Sequence, residues 1–508
     1  MTRSPKRATT LSCLLPPADS LPWAPPLDSC DVVVRLETAG ITDTVAQREY
    51  GYHDAWGLAE ACFSWLRTFP ASDVRGCRQS SLVEYWKGLS FALPLCLCCL
   101  AMVIFRFSLW GGDVSPQLAA AVGFGTVSSF VTTGGVVQAM ARRGLFFFTV
   151  HDGATGEIVC WRWVPLGAAW LAICGLVLLA PCRYYHWLPA PFDWIALAFH
   201  LSLGLLWLAT GILHMLERSL WSAVATVAGI CSVVLFHRTL HVPLVGAQIT
   251  GIAVATAFAF AASFVFLRAR RRADGGRPRA LSSALDLYLA WPYFLFGALY
   301  FLLIFADRLL AWTVPDIAAA SPVQFRGDYE TVLDVALIAF VLQVGGVRAA
   351  TFTFFRNMVR SQKQHGISAR AEFLRDMKRA YAKNATSFIL LGAAVSTCLY
   401  LTASRFSTVV HDRGGTLLGA LLGGSLMVIG LWNTSLLFRL ALPVDVAAAI
   451  APAVAVDLLI GYLLSRLGSY HYAVAGFGTG AGCFAALTTR NVLRRLKALD
   501  YYYLSSSV

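Results

Sequence analysis

From about residue 88 to residue 489 the chain repeats one pattern: a long apolar run, then a short polar or charged connection. A helix needs about 20 apolar residues to cross a bilayer core. Twelve runs have that length, centred near residues 99, 129, 172, 203, 228, 256, 300, 344, 394, 427, 455 and 480. Only Glu217 and Arg218 separate the runs near 203 and 228, so the number falls to eleven if that pair leaves the helix unbroken. In hydrocarbon every backbone group must be satisfied inside the protein, which makes helices of such runs. The pattern therefore predicts an all-α, polytopic membrane protein of about 12 transmembrane helices. Six runs precede the stretch "RARRRADGGRPR" (268–279) and six follow it. That implies two six-helix lobes, the layout of a transporter built from two halves around a cavity. The expected divisions are an N-terminal extension (1–80), a first lobe (81–268), a basic linker (269–281), a second lobe (282–490) and a tail (491–508).

Composition agrees with this class. The 508 residues are 57% hydrophobic and 14% charged, with mean hydropathy +0.63, where a soluble domain carries about 25% charged residues. Lys and Arg gather on the 268–279 linker, on the stretch from Arg356 to Lys383, and on a tail with Arg490, Arg494, Arg495 and Lys497. With an even number of spans these lie on one side, and the positive-inside rule makes that side, and both termini, cytoplasmic. The net charge of +13 then records topology and contact with anionic membrane lipids, and calls for no nucleic-acid partner.

The remaining segments carry smaller expectations. Arg3, Lys6 and Arg7 give a basic start, but the apolar piece "LSCLL" stops at Pro16 and Pro17, too soon for the h-region of a secretory signal. Residues 1–80 read as a cytoplasmic extension, with "WGLAEACFSWLRTF" as an amphipathic helix on the membrane surface or one short helix in a loose tail. In "SARAEFLRDMKRAYAKN", Phe373, Met377, Ala380 and Tyr381 share a helical face. This predicts an amphipathic inner helix at about 368–383, lying on the lipid surface or docking a cytoplasmic partner. Thirteen cysteines show no paired metal-ligand spacing and read as small buried hydrophobes, so no metal site is expected.

The chain lacks a GxxxxGK[ST] loop, an HExxH and a GxSxG motif. The longest outer connection is "VPDIAAASPVQFRGDY" (314–329), which leaves no large outer catalytic loop. No enzyme activity and no cofactor are expected. What remains is polar residues inside the spans, each a candidate for a pathway because it is costly in hydrocarbon. They are Asp457 near the middle of its span, Arg348 toward the inner third of the eighth, and the neutral Gln138 and Asn433. Arg348 and Asp457 stand as a structural pair, or as an anion-attracting group and a cation or sugar contact. His200 and His214 read as interhelical packing or hydrogen bonding, with a proton relay as the alternative. Thr132, Thr133, Gly134 and Gly135 permit close helix approach. In "YFLLIFADRLLAW" (300–312), Asp307 and Arg308 fall at the outer mouth of the second lobe. Neighbours on a helix diverge by about 100°, so Arg308 is expected to snorkel to the interface while Asp307 faces inward. Loss of Asp307 is therefore expected to harm function more than loss of Arg308.

These features resemble the multidrug/oligosaccharidyl-lipid/polysaccharide flippase superfamily, and within it the Pel exopolysaccharide exporter family. The likeness runs from about residue 80 to residue 504. The seventh run, "ALYFLLIFADRLLAW", is similar to the family's apolar run closed by Asp, a basic residue and aromatics, filled here by Asp307, Arg308 and Trp312. "FRGDYETVLDVALIAFVLQVGGVRAATFTFFRNMVR" resembles its eighth span, with Arg348 in place of the inner Arg, although Ala349, Ala350 and Thr351 stand where the family has acids. "YHYAVAGFGTGAG" and "NVLRRLKALDYYYLSSS" are similar to its last span and exit. Gly135, Gln138 and Arg143 resemble its second span, without its Pro. The resemblance implies export of a polysaccharide, or of its lipid-linked precursor, across the inner membrane. It also implies alternating access of two lobes and partners that include a cytoplasmic glycosyltransferase and other inner-membrane biosynthesis proteins. A cation-coupled small-molecule antiporter of the same fold, motivated by Asp457, and an integral-membrane glycosyltransferase or ligase are the alternatives.

Overall fold

The computed structural model describes residues 29–38, 41–66, 80–274, 283–315, 321–364 and 370–499. Among them the chain is helical throughout, with one isolated bridge between Phe107 and Gly112 in place of any strand. Three short helices come first: α1 (Ser29–Thr38), α2 (Asp43–Tyr50) and α3 (Ala55–Leu66). The bent pair α4 (Ser81–Ser90) and α5 (Leu93–Phe105) follows. Next come α6 (Pro116–Thr149), α7 (Gly153–Tyr184), α8 (Phe192–Met215), α9 (Ser219–Val234) and α10 (Leu244–Asp274). Then come α11 (Ser283–Trp312), α12 (Gly327–Gln364), α13 (Arg370–Phe406), the short α14 (Thr408–Asp412), α15 (Gly414–Arg439), α16 (Pro443–Leu467) and α17 (Ala473–Arg495). Local sequence sets several of the starts. Ser115 accepts from the Leu118 amide with Pro116 in the first turn of α6, and Asp152 accepts from the Thr155 amide at the start of α7.

Ten of the described helices are long and apolar enough to cross a membrane, and α4 with α5, bent by 56°, makes an eleventh. This is a multi-pass membrane protein. Glu217 and Arg218 do break the helix: Glu217 takes a left-handed backbone at φ +58°, so α8 and α9 are separate. The twelfth run is the helix α17, whose many Gly, Ala and Thr residues make it less apolar than the rest. It packs between α15 and α16 with Gly476, Phe477, Gly480, Ala481 and Phe484 buried, and a helix sheltered from lipid does not need an apolar surface.

The chain forms two compact units, residues 1–80 with 353–380 and residues 81–352 with 381–508. In the first, α1 to α3 gather around Val32, Leu36, Ala46, Leu58, Ala59 and Cys62. Two surface-helix expectations change here. Leu58 and Cys62 of "WGLAEACFSWLRTF" face this protein core rather than lipid. Residues 370–383 are the first turns of the unbroken α13, not a separate surface helix, and Phe373 and Met377 are buried by protein. Residues 1–28, most of the 269–281 linker and the closing "DYYYLSSSV" lie outside the described residues. Burial pushes the Cys62 thiol up to about 11, and the thiolate is the reactive form. At pH 8 Cys62 is expected to react with a maleimide at least roughly tenfold slower than the partly exposed Cys30, as followed by mass spectrometry of the native protein.

The second unit holds the membrane bundle. In its first half α6 packs on α8 and α7, and α10 packs on α8 and α9. In its second half α17 packs on α15 and α16, and α11 on α16. The halves meet along α6 and α11, which pass close together at Gly134 and Gly297. A Cβ on Gly297 would lie 2.2 Å from the Gly134 carbonyl oxygen, so only glycine allows this approach.

Candidate functional site

A cluster of charge, most of it buried, lies between α11 and α12. Asp307 is 1% exposed. Its Oδ2 accepts from the Tyr329 hydroxyl at 3.0 Å and its Oδ1 from the Arg308 amide at 2.8 Å. Arg308 turns the other way. Its guanidinium pairs with Glu330 and, at 3.3 Å, with Asp334, and stands 5.7 Å from the centre of the Phe305 ring. Glu330 also accepts from the Trp312 indole at 2.8 Å. Glu330 and Asp334 are one helical turn apart on α12, which puts both carboxylates within reach of a single Arg. Asp307 and Arg308 help to wall a pocket with Leu333, Phe340, Gly424 and Phe477. Arg308 does not snorkel: its side chain is 13% exposed because two acids from α12 hold it inside.

Asp457 stands alone. It is fully buried, and neither carboxylate oxygen has a hydrogen-bond partner among the described residues. The glycines of α17 seal it. A Cβ on Gly480 would come within 2.6 Å of the Asp457 Cβ and 3.0 Å of Leu303, and one on Gly476 within 2.5 Å of the Asp457 carbonyl oxygen. Leu303 lies one turn before Asp307 on α11. A lone carboxylate charge in such a place is costly unless a proton or a cation accompanies it.

Arg348 has different partners from those the sequence suggested. It does not pair with Asp457. Its Nε donates to Glu84 on α4 and its Nη2 to Glu217, both at 2.7 Å. Both acids belong to the first half of the bundle, and Arg348 to the second. Glu84 also accepts from Lys87 at 2.8 Å. A second pair, Arg143 to Asp286, joins the halves at the same end, the one where the basic connections lie. At the opposite end the halves meet through apolar contacts, with Trp312 against Ala120, Ala121 and Ala196.

Solved structures share this arrangement of helices. An inward-facing multidrug-resistance MATE family transporter of the MOP superfamily matches over 82% of this chain and 95% of its own, at TM-score 0.55 and 13% identity. An outward-facing one matches over 85% and 99%, at TM-score 0.55 and 15% identity. The Vibrio cholerae MATE transporter VcmN in its bent form matches over 83% and 98%, at TM-score 0.55 and 15% identity. The chain has the MATE fold. Equal scores against the inward- and outward-facing structures identify the fold and not a state. No family model matches the sequence, and no curated protein matches it.

On this MATE fold the other expected residues lie in contacts between helices. Asn433 is fully buried. It accepts from the Tyr381 hydroxyl at 2.8 Å and donates to Thr489 at 2.9 Å and Thr488 at 3.3 Å. Its carboxamide ties α13, α15 and α17 together. Gln138 lays its stem against Gly297 in the α6–α11 contact. His200 is pinned between Ser128 at 2.9 Å and the Leu171 carbonyl at 3.1 Å, and His214 lies against the Phe91 ring, so the two do not form a relay. Sequence reasoning missed Glu84, Glu217, Tyr329, Glu330 and Asp334. The one-turn spacing of Glu330 and Asp334 was the available signal, since acids so spaced in a membrane helix need a cation.

A run of aromatic rings also crosses between the halves. Trp110 meets Trp207 at 5.3 Å, Phe130 stacks on Trp207 at 4.5 Å, and Phe301 and Phe305 of α11 stack on Phe130 at 5.1 and 5.6 Å. All five rings are half-buried. The run ends beside Arg308.

Proposed function

We propose that this protein is a transporter of the inner membrane that exports an exopolysaccharide, or its lipid-linked precursor, by alternating access of its two helical halves. Both termini lie in the cytoplasm, and the protein works within a biosynthetic complex that includes a glycosyltransferase. The observation that carries this reading is the cluster of Asp307, Arg308, Glu330 and Asp334 beside a pocket inside a membrane bundle. Ionisable groups kept at such cost mark a pathway. The aromatic run that ends at Arg308 supports a carbohydrate. A sugar ring presents an apolar C–H face for stacking and a rim of hydroxyls for a group that offers both donors and acceptors, as Arg308 and the exposed Asp334 do. The resemblance to the Pel exporter family supports the same substrate class, and the MATE fold supports the transport mechanism.

A second reading is favoured by Asp457: cation-coupled antiport of a small molecule. Uptake by proteoliposomes under an imposed proton or sodium gradient separates the two. The export reading expects a radiolabelled lipid-linked sugar to cross and tetraphenylphosphonium to stay behind. Gradient-driven movement of tetraphenylphosphonium alone would replace the first reading by the second.

A further inference from the structure

The two joints at the basic end differ in kind. Along α6 and α11 the backbones touch at Gly134 and Gly297, and the side chains of Arg143 and Asp286 are only 11% and 10% exposed. Between α4 and α12 the contact is also close: the Tyr85 hydroxyl donates to the Leu342 carbonyl at 2.9 Å. A Cβ on Gly88 would lie 2.7 Å from the Gly345 carbonyl oxygen and 3.2 Å from the Arg348 Cβ. Yet water reaches this second joint. The Arg348 side chain is 28% exposed and that of Glu217 60%. An ion pair open to water parts more readily than a buried one, because water replaces the lost partner. The α6–α11 seam is thus the side that stays, and the α4–α12 seam the side that opens.

Two details fit a contact built to be broken. Glu217 reaches Arg348 from a left-handed backbone, φ +58°, which disfavours any residue with a Cβ. Such strain persists where the surroundings hold it and is concentrated at working sites. Glu84 has a reserve partner as well: one oxygen serves Arg348, and the other serves Lys87, one turn along its own helix. When α12 withdraws, Glu84 keeps Lys87, and no buried carboxylate is left without a cation.

We propose that Arg348, Glu84 and Glu217 form a latch that holds the basic end of the bundle shut, and that the latch opens as Glu84 releases Arg348 and keeps Lys87. This rests on the alternating-access reading and adds the place and manner of release. Amide hydrogen exchange on the full-length protein in lipid nanodiscs tests it. Arg348→Ala is expected to speed exchange about tenfold in residues 82–90 and 342–350, the change that follows from losing one such contact. Gly88→Val, a wedge in the seam, does the same with the charges intact. Glu217→Gly decides between latch and turn, since glycine suits the left-handed backbone and removes only the carboxylate. A latch predicts faster exchange in that variant, and a merely strained turn predicts none. Unchanged α8 peptides show that the bundle is intact. Wild-type exchange in both of these segments in Arg348→Ala and Glu217→Gly overturns the latch. Faster exchange with normal export overturns the latch's part in transport and leaves the export reading standing.

Discussion

Arg308→Ala is expected to destabilise the protein more than any other single change in the second-half pocket. The guanidinium is the cation for Glu330, whose side chain is 8% exposed, and for Asp334. Removing one partner of a buried pair leaves the other uncompensated and costs about 3–5 kcal/mol. Asp307→Asn is milder, because an amide oxygen still accepts from Tyr329 and the Arg308 backbone; a cost of about 1 kcal/mol is expected. Thermal unfolding of the purified variants in detergent checks the order. Equal and small shifts would show that the cluster is solvated and holds little.

Asp457→Asn is expected to separate stability from function. Asparagine has nearly the same shape and carries no charge, so the variant should unfold at the same temperature as the wild type or above it. Export should fall at least about tenfold if Asp457 carries a proton or cation through the cycle, because the neutral side chain removes that passenger. Neither oxygen holds up a neighbour, so a loss of export could not be blamed on a broken contact. Wild-type export in this variant would make Asp457 a buried acid with no part in coupling.

Most of the fold was legible because hydrocarbon leaves a chain few choices. Run length placed the helices, and Glu217 with Arg218 marked a true break. The last helix showed the limit of that signal. Its place between α15 and α16 frees α17 from the need to be apolar, so length and order had to identify it. For the candidate residues the sequence offered positions and no partners. Asp307, Arg308, Arg348 and Asp457 all proved buried or joined to charge. Which acid meets which base depends on how the halves pack, and nothing in the spacing from Glu84 to Arg348 predicts their contact. In 370–383 the apolar face called for cover, and its Phe373 and Met377 are buried by protein.

Transport itself is tested most directly at the cell surface. Cells that lack the gene are grown with a radiolabelled sugar, and polymer outside the cell is compared with label retained inside. The account predicts that surface label falls to background while lipid-linked or cytoplasmic label accumulates, and that the wild-type gene restores export. Surface label equal to that of the parent strain would contradict it.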